Sequence, residues 1–259
     1  MAENIYSNNI ISFIANHAVV DIHYHKCYQI VISLNTPFNC TIDKNKYQHL
    51  RGFLINQDIT HSCEADNANV LVYFIDAESY MGWQMREILD GNAFMAIDTI
   101  LTEEELAALI HQYGRVSSVE ELRQMAAELL EKIVLSRGAP KNRVLDDRII
   151  KIVDYIETHL DDPLALQDIS HYIFLSPERI RHLFAQEIGI PFSQYVLWKR
   201  IKIVMTQVLK DKVPIVHSVM RNGFTDQAHF TRLFKRTFGV SAKRLLKNSR
   251  SVQFLTPIV

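Results

Sequence analysis

Cysteine is scarce in this chain, and long apolar runs are missing from it. The three cysteines among 259 residues, Cys27, Cys40 and Cys63, are odd in number and form no Cys-x-x-Cys pair. That excludes a disulfide framework and a cysteine-based zinc finger, and leaves small, buried, reduced side chains. No apolar stretch approaches the ~20 residues that span a membrane. The N-terminus, MAENIYSNN, has no basic segment followed by an apolar one, so neither a membrane span nor a secretory leader is expected and the protein is expected in the cytoplasm. The spacings of catalysis are missing too: no phosphate loop, no His-Glu-x-x-His and no Ser/His/Asp order occurs. No catalytic residue and no cofactor is expected.

Apolar residues are abundant, at 48% of the chain, enough for a sizeable core and for two domains of ordinary size. The formal net charge of -1 hides a polarity. Residues 1–136 hold 8 Lys and Arg against 18 Asp and Glu, whereas residues 137–259 hold 20 against 11. The basic half suits a polyanion, because phosphate contacts supply the sequence-independent part of nucleic-acid affinity, and the acidic half would be repelled by one.

From Ile10 to Asp76, short β-branched and aromatic runs (IISFIA, YQIVISL, FNCTI, GFLIN, VLVYFID) alternate with polar turns. That spacing predicts a small antiparallel barrel or sandwich with room for an interior cavity. Beyond Asp76 the period changes to 3.6, so the fold class is α+β. Helices are predicted over 78–90, 102–113 and 118–136, the last two opening on Thr102/Glu105 and Ser118/Glu121 capping boxes. The third carries a broad apolar stripe through Leu122, Met125, Leu129 and Ile133. That stripe packs on the barrel or pairs with its equivalent in a homodimer. Ser136–Arg143, SRGAPKNR, reads as a linker where the charge changes sign. The expected domains are 1–136, the linker 137–144, and 145–259.

Every segment after Leu145 reads helical, and one unit occurs twice. A short helix, a turn, a basic-faced helix and a glycine appear as QDISHYIFLSPERIRHLFAQEIG and again as VHSVMRNGFTDQAHFTRLFKRTFG, with Leu183-Phe184 and Gly189 echoed 50 residues later by Leu233-Phe234 and Gly239. In the second unit Phe230, Leu233, Phe234 and Thr237 share one face by the i, i+3, i+4, i+7 rule, with Thr225 as N-cap. Between the units FSQYVLWKRIKIVMTQVLK reads as one helix of ~28 Å at ~1.5 Å per residue. That length is close to the ~34 Å between successive major grooves on one face of B-DNA.

Gly223-Phe224-Thr225-Asp226-Gln227-Ala228-His229-Phe230-Thr231-Arg232-Leu233-Phe234-Lys235, with Phe238-Gly239 and Arg200, resembles the signature of the AraC/XylS family of bacterial transcription regulators. The resemblance covers the C-terminal hundred or so residues. It implies seven helices, two recognition helices and double-stranded promoter DNA as partner, with RNA polymerase as a further one. The N-terminal half resembles, less specifically, the family's cupin-like effector and dimerisation domain. Phe174 departs from the pattern at the usual turn glycine, Ser170 at an alanine, and Ala242 at a proline, so the first turn is expected to be more open. Helix geometry and family position together nominate Glu178, Arg181 and His182 as base readers in the first unit and Gln227, Ala228, Thr231 and Arg232 in the second. Lys235, Arg236, Lys199 and Arg179 are nominated for phosphates.

In the barrel half, His23-Tyr24-His25, with Gln29 four residues on and His61 after a polar turn, resembles the metal-site pattern of cupin barrels. Gln29 stands where that pattern has a carboxylate, and a neutral amide is a poorer ligand. The four residues are therefore assigned to contacts with a small-molecule effector, with no metal expected. Two functions remain in competition: a transcription regulator that senses a small molecule, and a cupin-type metalloenzyme with an appended DNA-binding domain. A methyl-acceptor repair protein would need a reactive-cysteine motif that the chain lacks.

Overall fold

The computed structural model describes residues 10–113, 119–136, 138, 144–162, 164–209 and 211–255. Among the described residues eight strands form one sheet: β1 (Ile10–His23), β2 (Tyr28–Ser33), β3 (Phe38–Ile42), β4 (Asn45–Leu50), β5 (Gly52–Ile55), β6 (His61–Ile75), β7 (Phe94–Ala96) and β8 (Ser249–Leu255). All the pairings are antiparallel, and together they make a nearly closed barrel. The path runs β4-β3-β6-β2-β5-β7, with β1 on β6 and β8 on β1. Alternation explains β3, whose Phe38, Cys40 and Ile42 face inward. β2 is buried at all six positions, as a strand covered on both faces should be.

The helices that follow keep their expected places. α1 (Tyr80–Leu89) is capped by Ser79, whose hydroxyl accepts from the Gly82 amide at 2.9 Å. Gly82 is required there, since a Cβ would lie 2.0 Å from the Asp76 carbonyl oxygen. α2 (Glu103–Tyr113) opens on the reciprocal capping box: Glu105 accepts from the Thr102 amide at 2.8 Å, and Thr102 from the Glu105 amide at 3.3 Å. α3 (Val119–Leu135) buries Ala126, Leu129, Leu130, Ile133 and Val134. Its expected Ser118 cap and most of the expected linker lie outside the described residues.

The remaining helices are α4 (Asp147–Thr158), α5 (Leu166–Ile173), α6 (Pro177–Ile188), α7 (Phe192–Leu209), α8 (Ile215–Arg221), α9 (Gln227–Phe238) and α10 (Ala242–Asn248). The chain divides into two compact units, Arg143–Phe234 and Tyr6–Asn142 with Lys235–Val259. Periodicity alone assigns all of 145–259 to one domain. The difference arises because β8 pairs with β1, a long-range bond that local periodicity does not carry.

Within the helical unit, Ile149, Ile152, Val153 and Ile156 of α4 meet Ile169, Ile180, Phe184 and Tyr195 in one core. Phe174 caps α5 at φ 55°, ψ 40°, and its counterpart in the second unit, Gly223, has φ 71°. The first turn therefore passes through the same left-handed region as the second, as a glycine would. A left-handed residue with a Cβ costs about 1–2 kcal/mol, and Phe174 is 91% exposed, so it recovers little by packing. Phe174→Gly is expected to stabilise the protein by about 1 kcal/mol, read as a rise in the midpoint of urea unfolding. An unchanged or lower midpoint would contradict this account of the turn.

Candidate functional site

Two helix-turn-helix pairs, α5–α6 and α8–α9, flank α7. Ser176 caps α6 with Pro177 at its first position. At α9 the cap is Asp226 rather than the expected Thr225, and its carboxylate accepts from the His229 amide at 2.6 Å. Ile180, Leu183, Phe184 and Ile188 bury one face of α6, and Phe230, Leu233 and Phe234 bury the matching face of α9. The opposite faces are open. Glu178, Arg181 and His182 are exposed on α6, and Gln227, Ala228, Thr231 and Arg232 on α9.

Some of these side chains are already engaged. Arg181 pairs with Glu178 at 3.2 Å, and the Thr231 hydroxyl donates to the Gln227 carbonyl at 2.8 Å. Lys235 is exposed but pairs with Asp21 at 3.3 Å. Lys199, nominated for a phosphate, is instead buried and donates to Glu157 at 3.1 Å. Helical period alone places it outward; a carboxylate 42 residues away holds it inward. Arg200 braces the scaffold, donating to the carbonyls of Leu160 (3.1 Å), Asp162 (2.7 Å) and Gly223 (3.4 Å). A Cβ at Gly223 would lie 2.5 Å from that guanidinium carbon, so the second turn glycine serves close approach as well as backbone conformation.

In the barrel unit, His23, His25, His61 and Gln29 come together and are all buried. β1 and β6 are in register at His23 and His61. Gln29 Oε1 lies 3.2 Å from His25 Nε2 and 2.9 Å from His61 Nε2. Burial is the main cause holding all three imidazoles below their ordinary pKa, His23 at about 3; neighbouring imidazoles push His23 and His61 the same way. The rings are neutral at pH 7.

A cavity of about 70 Å³ adjoins them. His23, Gln29 and His61 line it and His25 does not; the walls are largely apolar, Phe13, Val31, Phe53 and Phe74 among them. Phe238, Val240, Arg244 and Leu245 complete the lining. Sequence reasoning misses these last four, because only the return of the chain end to β1 brings them there. Gly239, at φ 66°, permits that return: its carbonyl accepts from the Asp21 amide at 3.2 Å, and a Cβ would lie 2.3 Å from the Asp21 oxygen.

Cys40 and Cys63 are register partners across β3 and β6, and burial pushes both thiols up to about 12. Three pH units above the ordinary 9.0 leave about a thousandfold less thiolate, the reactive form. Both are expected to resist iodoacetamide at pH 8 in the native protein and to react in urea, followed by mass spectrometry. Rapid native alkylation would return them to consideration as sensors.

A family model described as a helix-turn-helix domain matches residues 169–248. The probable transcriptional regulator LumQ of Photobacterium leiognathi is 23% identical over 226 residues, 86% of this chain and 90% of LumQ. The arabinose operon regulatory protein of Salmonella typhimurium is 35% identical over 123 residues, 45% of this chain and 43% of that protein, so the chain matches less than half of that regulator's length. Among solved structures, an apo point variant of ToxT from Vibrio cholerae has a TM-score of 0.64 at 12% identity, over 93% of this chain and 97% of ToxT. Wild-type ToxT bound to an unsaturated fatty acid has a TM-score of 0.51 at 12% identity, over 96% of each chain. With two helix-turn-helix pairs in place on either side of α7, residues 169–248 form a helix-turn-helix domain.

Proposed function

We propose that the protein is a sequence-specific regulator of transcription in which α6 and α9 read promoter DNA and the barrel cavity takes a small molecule that alters that reading. The observation that carries the proposal is the pair of helices with one buried apolar face and one exposed polar face, held on a common scaffold by α7 and Arg200. The 18 residues of α7 span ~27 Å at ~1.5 Å per residue, the scale of adjacent major grooves. In this reading Arg181 and Arg232 grip guanine O6 and N7, Gln227 an adenine edge, and Glu178 a cytosine amine, while the methyls of Ala228 and Thr231 meet thymine. His182 contributes a further base contact; Arg179 and Arg236 meet phosphates. Lys235 trades Asp21 for a phosphate at little cost, because the pair is exposed on both sides (61% and 68%) and exposed pairs are weak.

The effector half rests on the cavity. Its apolar lining, with the imidazole edge at one side and Arg244 at another, suits a small apolar molecule carrying a polar or acidic group. The fatty acid in ToxT is a molecule of that kind. Such a ligand would touch Phe238 and Leu245, at and beyond the end of α9, and so bear on the helix that reads DNA. Pairing of two copies through α3, whose Leu135 is 55% exposed, and contact with RNA polymerase in the cytoplasm complete the proposal.

A genome-wide footprint tests it. Discrete protected sites with two contact blocks on one face of the duplex are expected, and uniform weak protection would refute sequence-specific reading. On such a site Arg232→Ala is expected to cost ~1–3 kcal/mol and relax preference at one base position, with random DNA bound as before. Fluorescence anisotropy on both duplexes measures it. Equal losses on the two would remove Arg232 from the base readers.

A further inference from the structure

Where the linking helix meets the second helix-turn-helix pair, the chain buries polar groups that an apolar junction would not need. Ser218 of α8 and Asn222, its C-cap, are wholly buried. Both meet one atom of α7: Gln207 Oε1 accepts from the Ser218 hydroxyl at 2.6 Å and from Asn222 Nδ2 at 2.9 Å. Asn222 Nδ2 also donates to the Ser218 carbonyl at 2.6 Å. A backbone carbonyl only accepts, so that bond fixes the Asn222 amide, and the Gln207 atom facing Nδ2 is then its oxygen. The Gln207 carbonyl accepts from the Val213 amide at 3.0 Å, so the same residue holds the loop that leads into α8.

Burying this network costs stability. Asn222 Oδ1 is buried without a partner among the described residues, and an orphaned acceptor costs free energy that an apolar side chain would not. Buried polar contacts kept at such a cost serve register, because they are satisfied in one arrangement and broken in its neighbours. The register here is that of the second turn on α7. Arg200 stands seven residues before Gln207, on the same helix face and roughly 10.5 Å away, and donates to the Gly223 carbonyl at 3.4 Å. Two points on one face of α7 thus grip adjacent residues, Asn222 and Gly223. Phe224 carries their position onward: it is buried, and its ring meets that of Phe230 in α9 at 5.1 Å and 82°.

We propose that Gln207 is a positioning residue that selects the spacing between the two base-contact blocks on DNA, acting through α8 and the turn rather than by touching DNA. One base pair more or less moves the second block by ~3.4 Å along the duplex and ~34° around it. A reading helix held at a fixed point on α7 cannot follow. That role rests on the proposed reading of DNA by α6 and α9.

Selection of binding sites by full-length protein from a pool of random duplexes tests it. The wild type is expected to enrich two blocks at one spacing, and Gln207→Leu, of similar volume but without the acceptor, to enrich the same blocks at several. Fluorescence anisotropy on the enriched duplex, with one base pair added or removed between the blocks, gives the size. Binding is expected to weaken about 10-fold for the wild type, the scale of one lost base contact, and about threefold or less for Gln207→Leu. On a duplex carrying only the second block the two proteins are expected to bind alike, which a misfolded α9 would not do. Gln207→Glu keeps an acceptor oxygen at the same reach and is expected to retain the wild-type preference. Ser218→Ala, which removes one of the two bonds, is expected to fall between, and it decides if Gln207→Leu binds no DNA. A preference unchanged in Gln207→Leu, relaxed equally in Gln207→Glu, or absent from the wild type overturns the role of Gln207 and leaves the reading of DNA in place. A wild type that enriches no discrete block removes both.

Discussion

Strand β6 holds the barrel together, because it is one continuous strand with two different partners along one edge. β3 pairs with its beginning, His61 to Glu64, and β2 with its end, Val70 to Ile75. Along the other edge β1 follows nearly the whole length, from Ile10 opposite Ile75 to His23 opposite His61. A strand 15 residues long cannot keep three neighbours flat; sheets twist, and a shared strand of this length turns that twist into closure. β1 accommodates the curvature by shifting register between Asn16 and Ala18, with His17 at φ 53°. The same pairing sets the chemistry: it places His61 beside His23 and Cys63 across from Cys40, so the polar cluster is a consequence of how the barrel closes.

The helical unit depends on a different constraint, a short list of polar contacts reaching across the sequence. Arg200 in α7 ties the end of α4 to the turn before α9 through carbonyl oxygens. Gln207, one helical face further on, accepts from Ser218 at 2.6 Å and from Asn222 at 2.9 Å. The linking helix therefore acts as a ruler with two fixed marks. Its own core side chains, Tyr195, Trp198, Ile201 and Val204, supply the burial, while the polar contacts set where the second turn sits on it.

Much of this is legible in the order of the amino acids alone. Helix periodicity marks the two repeated helix-turn-helix stretches and the helix between them, and the Thr102/Glu105 and Ser176/Pro177 starts follow from chemistry that acts within one turn. The elements that escape such reading share one physical character: their pairing is non-local and their side chains carry no period. β4 is Asn-Lys-Tyr-Gln-His-Leu, polar through most of its length, and forms because β3 presents an unpaired edge. The first half of β6, with Glu64, Asp66 and Asn67, reads as a turn but is strand because β1 pairs with it. β8 lies more than 230 residues from the residues of β1 with which it pairs. At the candidate sites the residue types are readable but their engagements are not. The resemblance to the cupin pattern gathers His23, His25, Gln29 and His61, whereas the inward burial of Lys199 and the backbone carbonyl beside each imidazole Nδ1 appear only in three dimensions.

Gln29 sets the electrical state of the buried imidazole cluster. By ligand strength an amide counts against a metal, being weaker than a carboxylate, but ligand strength is one term among several. A carboxylate among three buried imidazoles would draw a proton onto one of them, since an opposite charge within a few ångströms favours the charged ring. The cluster would then hold a buried ion pair. With an amide there is no such pair, and the rings keep their hydrogens on the backbone carbonyls. An amide at this position therefore keeps the buried cluster uncharged where it meets the cavity wall.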